Sequence, residues 1–557
     1  MVWISRMRTR RCITVVSSVV CHGYPDGRAT QMTHTTVTVE TGALRGHIRA
    51  DGVRSFLGVP YAAPPVGELR WRAPRPAHSW SGVRDALRFG PAAPQAAPPS
   101  NSLYFGGEAE FSEDCLTLNV WTPRAGTGPR PVLVWFHFGA YQFGSAANPM
   151  YDGERLARSG CVVVTVNHRL GRLGFLAHPA LSAESEYGAS GNYGLLDQIA
   201  ALQWVQRNIA AFDGDPGDVT IGGVSAGANS VHVLRASPLA VGLFHKAIAH
   251  SGPGLARDLE GPGHPAGVQT LAAGEAAGTE IMETLGARDP AAMRALSPHQ
   301  IDAVLLPRAH GSWNFDLAPG AEVSLHLFDG AYPLIDGHVL LESPMRAYQS
   351  GRIHDVPFLL GDVGNEASGL PYLPTLSAYR EHLRATFGDA ADRAWELYPA
   401  SDNGGARSAS WDLEADRIFN WSTWAAARSH EAGCVSPLWH FRFLRRPPIA
   451  PADDVIEASY AGAFHGSDVL YAFGALERAR PSWAWEDADR DLSAAMMSSL
   501  VNFVATGDPN GDGVPAWPTF DRRTPSTMRW NVGIEVGETG YDAEKMALLD
   551  DLNGWTA

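Results

Sequence analysis

Apolar residues along this chain follow two rhythms. Residues 131–136 (Pro131-Val132-Leu133-Val134-Trp135-Phe136) and 161–166 (Cys161-Val162-Val163-Val164-Thr165-Val166) are nearly unbroken apolar runs. Such runs predict strands buried on both faces of a parallel sheet. The alternation Thr36-Val37-Thr38-Val39 predicts a half-buried strand, and the turn Thr41-Gly42 leads to a second strand over 43–48. Further strands are expected over 116–121, 219–221, 247–249, 357–360 and 438–444. The second rhythm is helical. Leu195, Ile199, Leu202, Val205, Ile209 and Phe212 share one face and predict a long helix between Tyr193 and Phe212. Leu492, Met496, Leu500, Phe503 and Val504 predict another near the C-terminal end. This order describes an α/β protein, doubly wound, with a large, mostly parallel central sheet and helices on both faces.

Three stretches break the rhythm. The Pro-rich segment 59–65, with Pro74 and Pro76 after it, is expected to be ordered loop or polyproline-like chain. Residues 254–335 and 371–435 carry helical segments with Gly and Pro breaks and no strong strand, and are expected as insertions folded over one edge of the sheet. Residues 1–35 are expected to be a disordered or non-native extension, with translation starting at Met32. The alternative is a secretory signal, because Arg8, Arg10 and Arg11 precede the apolar run 13–20, though Thr14, Ser17 and Ser18 dilute it. Residues 36–557 then form one domain.

Composition narrows the partners. The formal charge is 44 − 59 = −15, which argues against nucleic acid, since phosphate binding wants a basic face. No stretch is long and apolar enough for a membrane span. Five scattered cysteines (Cys12, Cys21, Cys115, Cys161, Cys434) show no metal-ligand spacing and point to a reduced, cytoplasmic chain. Asp508-Pro509-Asn510-Gly511-Asp512-Gly513 mimics the start of a calcium loop, but its twelfth position is Thr519, so a turn is expected. No cofactor or metal is expected, and oligomeric state is not legible.

The chemistry gathers around Gly223-Val224-Ser225-Ala226-Gly227, a Gly-x-Ser-x-Gly pattern between a strand and a helix-forming run. On such an elbow the serine is forced onto a tight turn, and the glycines make room for it. A serine hydroxyl needs a base, and the base needs a carboxylate to orient it. His465 lies on the Gly-flanked loop Gly462-Ala463-Phe464-His465-Gly466. Asp362 and Glu366, in the segment after the strand 357–360, both qualify as the acid, and spacing does not separate them. His137-Phe138-Gly139-Ala140 follows the strand 131–136, where N–H groups of Gly139, Ala140 and Ala226 could converge on an oxyanion.

Taken together, these motifs resemble the type-B carboxylesterases, the family of carboxylesterases, cholinesterases and bacterial para-nitrobenzyl esterases, over about residues 36–535. Also in register are Gly58-Val59-Pro60-Tyr61-Ala62, Glu113-Asp114-Cys115-Leu116, Asn167-His168-Arg169-Leu170-Gly171 and Thr506-Gly507-Asp508-Pro509-Asn510. The resemblance implies an α/β-hydrolase fold and a small-molecule carboxylic ester substrate cleaved through an acyl-enzyme. Ser225 is then the nucleophile, His465 the base and Glu366 the acid, with ion pairs Arg70–Glu113 and Arg169–Asp197. Carbamates, amides or toxin esters are alternatives on the same machinery. A non-catalytic, neuroligin-like interaction protein is a third reading, disfavoured because all three side chains are present. The chain departs from the family at Val224, where glutamate is usual, at Phe138, where glycine is usual, and at Ala93, where a cysteine often pairs with the one at Cys115. Val224 and Phe138 are therefore candidate pocket residues.

Overall fold

The computed structural model describes residues 33–555 except 96–97, 99–101, 109, 127, 256–267, 304–331, 369, 371 and 454–460. The expected N-terminal extension, apart from 33–35, lies outside the described residues. Thirteen strands form one sheet. In chain order they are β1 (Thr33–Val39), β2 (Gly42–Ile48), β3 (Arg54–Pro60), β4 (Val83–Asp85), β5 (Thr117–Thr122), β6 (Arg130–Phe136), β7 (Val162–Val166), β8 (Gly214–Val224), β9 (Lys246–His250), β12 (Phe358–Val363), β13 (Leu438–Phe443), β14 (Ser526–Trp530) and β15 (Glu535–Glu538). Between β9 and β12 in the chain, β10 (Gln269–Thr270) and β11 (Leu334–Ile335) make a separate parallel pair. The spatial order is β1-β2-β3-β5-β7-β6-β8-β9-β12-β13-β14-β15, with β4 on β2. From β7 to β14 every neighbour is parallel, while the flanks along this path are antiparallel.

The apolar runs are explained by two cores. Successive residues of a strand point to opposite faces. Val132, Val134 and Phe136 of β6 join the core that holds Leu195, Ile199 and Leu202 of the helix Tyr193–Asn208. Leu133 and Trp135 join a second core with Leu492, Met496, Leu500 and Phe503 of the helix Asp487–Thr506. A strand with helices on both faces has no polar side to show, hence the loss of alternation. The sheet is doubly wound for the same reason. Among the described residues no helix is long and apolar enough to cross a membrane.

Several expectations need correction. β1 starts at Thr33, before the expected boundary at 36. Val59 and Pro60 are not loop: they close β3, paired with Leu118 and Thr117 of β5 across a register shift. The register shift between Phe56 and Val59 disturbs the ladder just before Pro60, and irregularities of this kind are where a strand tolerates proline. Strands β4, β14 and β15 carry mixed polar residues and gave no periodic signal. Among the described residues, the 254–335 segment holds the helices Leu271–Thr284, Pro290–Ala295 and Pro298–Ala303 and also β10 and β11, joined to the body by Asn192, whose side chain bonds Leu334 N (2.9 Å) and O (2.8 Å). In the 508–519 turn, Asp508 accepts from Asn510 N at 2.9 Å, and Asn510 accepts from Trp517 N at 2.7 Å.

Both expected ion pairs are present. Arg70 grips Glu113 with two contacts of 2.6 Å, and its other nitrogen bonds Arg294 O at 3.0 Å, which ties in the first insertion. Arg169 grips Asp197 at 2.8 and 2.7 Å, its own N–H adds a third bond of 3.0 Å, and Asp197 is fully buried. Arg169→Leu would leave that carboxylate buried without its cation, so it should cost about 3–5 kcal/mol. Thermal melting of the variant beside Arg169→Leu/Asp197→Leu, which should recover part of the loss, checks this.

Candidate active site

Ser225 sits at the junction of β8 and the helix Ala226–Ala236, with φ 58° and ψ −121°. That backbone is unfavourable for a residue with a Cβ and persists only where neighbours over-determine it. Here Ser225 N donates to His250 O at 2.9 Å, and Asn229 N returns a bond to Ser225 O at 2.8 Å. The flanking glycines are required by contact. A Cβ on Gly223 would lie 2.3 Å from the Gly227 carbonyl carbon, and one on Gly227 would lie 2.1 Å from Phe136 O. Strand end, turn and helix are thus packed backbone on backbone. Ala226 opens the helix, where the first N–H groups have no partner within it.

His465 and Glu366 meet: the imidazole Nδ1 donates to Glu366 Oε2, and both residues are 2% exposed. Glu366 Oε1 accepts Val363 N at 3.0 Å, and Ser368 Oγ accepts His465 N at 2.9 Å. A parallel bridge, Asn365 to Phe464, joins the two loops. The His465 loop also covers the elbow, since a Cβ on Gly466 would stand 3.7 Å from Val224 Cγ2. Val224 is fully buried, so an apolar side chain fills the place beside the serine.

Asp362, the other candidate acid, goes elsewhere. β12 runs through Val363, two residues beyond Gly361, so Asp362 is a strand residue and not part of the loop. It accepts from Tyr541 OH and stands 3.5 Å from Arg442 Nε. Burial pushes its carboxyl up to about 7, against the pull of Arg442.

The loop after β6 turns sharply, with positive φ at Gly139 (115°), Ala140 (51°) and Tyr141 (58°). A Cβ on Gly139 would lie 1.9 Å from Phe143 O, so only glycine fits. Phe138 N donates to Tyr151 OH at 3.2 Å, which leaves Gly139 and Ala140 as the candidate donors of this loop. The Phe138 ring is boxed by Tyr104, Phe143 and Tyr151 at centroid distances of 5.5, 5.8 and 5.8 Å. Behind it His137 stacks on His168 at 4.8 Å, and burial lowers both, to about 3 and about 4. They are neutral spacers, each donating Nδ1–H to a carbonyl, Phe138 O and Arg169 O.

Three contacts gave no sequence signal. Tyr104 donates toward Ser368 O (3.1 Å) and His465 O (3.3 Å), so it touches both the acid loop and the base loop. His250, whose carbonyl holds Ser225 N, donates Nδ1–H to Asp468 at 2.6 Å, linking β9 to the short helix Ser467–Ala472 just after His465. Phe419 lays its ring against the His465 imidazole, centroids 4.4 Å apart. Among the described residues, no group of three His, Cys, Asp or Glu side chains is arranged to hold a metal.

Asp362 yields a pH prediction. Its folded carboxyl lies above the ordinary value of 3.8, so its contribution to stability is complete below 3.8 and is lost as pH rises through about 7. Asp362→Asn removes that titration. Its melting temperature relative to the parent should rise between pH 4 and 8, and parallel melting curves across that range check the sign.

Comparison with known proteins shows the family of the chain. The profile of the carboxylesterase family matches residues 33–548. The chain is 39% identical to a fumonisin B1 esterase of Sphingopyxis macrogoltabida over 87% of its own length and 84% of that protein. It is 34% identical to the para-nitrobenzyl esterase of Bacillus subtilis, covering 93% of this chain and 99% of the other. A solved PNB esterase structure superposes with a TM-score of 0.76 at 30% identity, covering 93% of this chain and 99% of that one. The sheet and helices are those of an α/β-hydrolase, and the chain belongs to the carboxylesterase family as a carboxylic ester hydrolase.

Proposed function

We propose that the chain cleaves small-molecule carboxylic esters through an acyl-enzyme, with Ser225, His465 and Glu366 as the catalytic residues. The observation that carries this reading is the His465–Glu366 contact on a loop seated over the strained Ser225 elbow. Glu366 accepts the Nδ1 proton, which leaves Nε2 as the basic nitrogen. Ser225 Oγ attacks the ester carbonyl while Nε2 takes its proton. The N–H groups of Gly139, Ala140 and Ala226 receive the developing oxyanion. The imidazolium then protonates the departing alcohol. In the second half, Nε2 takes a proton from water as the hydroxyl attacks the acyl carbon, and the imidazolium returns that proton to Ser225 Oγ as its bond to the acyl carbon breaks and the carboxylic acid leaves.

Val224 and Phe138 shape the substrate. An apolar residue before the serine puts no negative charge beside the reacting carbonyl, which favours neutral esters over cationic ones. The Phe138 ring takes space on the acyl side. Fumonisin B1 belongs in a substrate panel on the strength of the 39% identical relative. We also read the chain as working in a reducing, intracellular compartment, because Cys115 is a buried thiol that shares a small cavity with Ala93.

Ser225→Ala should lower ester turnover by on the order of four to six powers of ten. Stopped assays with p-nitrophenyl acetate, and loss of covalent labelling by a fluorophosphonate, check this. Retention of near-parent turnover would overturn the assignment. Phe138→Ala should raise kcat/KM for a longer acyl chain relative to acetate by roughly tenfold. A p-nitrophenyl ester series from acetate to octanoate measures that ratio.

A further inference from the structure

The segment that delivers Phe419 is unusual. The helix Asn403–Ala415 runs directly into a π-helical turn, Asp416–Asn420, and then into the helix Trp421–Gly433. Trp421 N reaches back to Asp416 O, five residues earlier, which defines the wide turn. A π turn inserts one extra residue and rotates the helix beyond it, at a cost in backbone geometry, and such turns collect at functional sites. Here the turn is braced from both sides. Arg417 and His382 both bond Glu414 Oε1, at 2.6 and 2.9 Å. Tyr398 OH and Asn420 Nδ2 bond Asp416, at 2.9 and 2.7 Å. The charged side chains of the segment are therefore engaged away from the imidazole, and its apolar residue is the one presented.

Phe419 is 3% exposed and meets His465 at 4.4 Å with the rings inclined by 41°. It belongs to a small apolar cluster of its own, with Ile418, Ala415 and Trp411 from the helix, and Ala367 and Leu370 from the loop just after Glu366. One cluster thus carries both the ring on the base and the chain that bears the acid. The titratable groups around the imidazole are Glu366 on the acid loop, Tyr104, whose hydroxyl bonds His465 O, and Asp468 on the next turn, which faces His250.

We infer that Phe419 is a positioning residue for ester hydrolysis: its ring keeps the His465 imidazole against Glu366 and stabilises the imidazolium formed when Ser225 gives up its proton. An aromatic face attracts a cation, and the imidazole becomes cationic as the barrier of each half-reaction is climbed, first on serine attack and then on water attack, so the contact strengthens there. The inference rests on the catalytic reading above, in which His465 is the base.

The test compares the full-length parent, Phe419→Leu and Phe419→Tyr with p-nitrophenyl acetate, a probe too small to depend on a distant pocket wall. For Phe419→Leu we expect kcat to fall about tenfold, with KM within about twofold, because orientation of the base is lost and not binding. The acidic limb of the kcat/KM profile should move to lower pH by about half a unit, since the ring no longer favours the protonated imidazole. Phe419→Tyr keeps the aromatic face and should restore both. A rise in KM with kcat and the limb unmoved would make Phe419 only a wall of the pocket and overturn the inference. So would equal losses in Leu and Tyr. If Phe419→Leu does not fold, Phe419→Met carries the same readouts. Failure here leaves the parent rate intact, whereas failure of the catalytic reading appears as activity surviving Ser225→Ala.

Discussion

Everything at this site depends on one backbone angle. Ser225 occupies a left-handed region that costs a residue with a side chain roughly 1–3 kcal/mol. The surrounding chain leaves it no alternative. β8 is paired on both sides from Thr220 to Gly223, and the helix Ala226–Ala236 starts against the last residue of β6 and the histidine after it. The bonds of Ser225 N to His250 O and of Asn229 N to Ser225 O hold that conformation from both sides.

That same compression made the elbow legible. Where backbone touches backbone, only glycine fits, so Gly223, Gly227 and Gly139 record the geometry in the sequence itself. The parallel strands were legible for a related reason, because burial on both faces erases polar residues from β6 and β7. The choice between the two candidate carboxylates was less legible. Asp362 and Glu366 lie in one short segment, and they are separated by the true end of β12 together with Tyr541 and Arg442, which arrive from distant parts of the chain. The His250–Asp468 contact spans 218 residues and obeys no periodicity. Phe419 was hidden more deeply, since a π turn breaks the rhythm by which a helix face is read. Strands β14 and β15 were missed because an edge with mixed exposure has no strict pattern.

Charge is distributed with a clear division. The scaffold around the insertions is held by full ion pairs, Arg70–Glu113 and Arg169–Asp197. Behind the loop after β6 stand two stacked histidines whose protonation burial suppresses, and apolar Val224 lies beside Ser225. A reaction whose charge appears only transiently gains most when the resting surroundings hold little net charge of their own. The carboxylate in direct contact with His465, that of Glu366, is anchored by Val363 N, so its direction is set by the main chain.

The segment between Ala93 and Cys115 shows how one missing bond alters the agents to which the protein responds. With alanine in place of a second thiol, this stretch is closed by main-chain bonds, Ala92 N to Glu110 O at 3.0 Å and Ser112 N to Ala92 O at 2.9 Å, and Glu113 just beyond them is gripped by Arg70. A covalent tie would ignore ionic competitors and yield to thiols. This clasp does the reverse: dithiothreitol leaves it alone, while guanidinium, which imitates the arginine head group, competes for the same two oxygens. Urea and guanidinium chloride therefore act on this stretch through different chemistry.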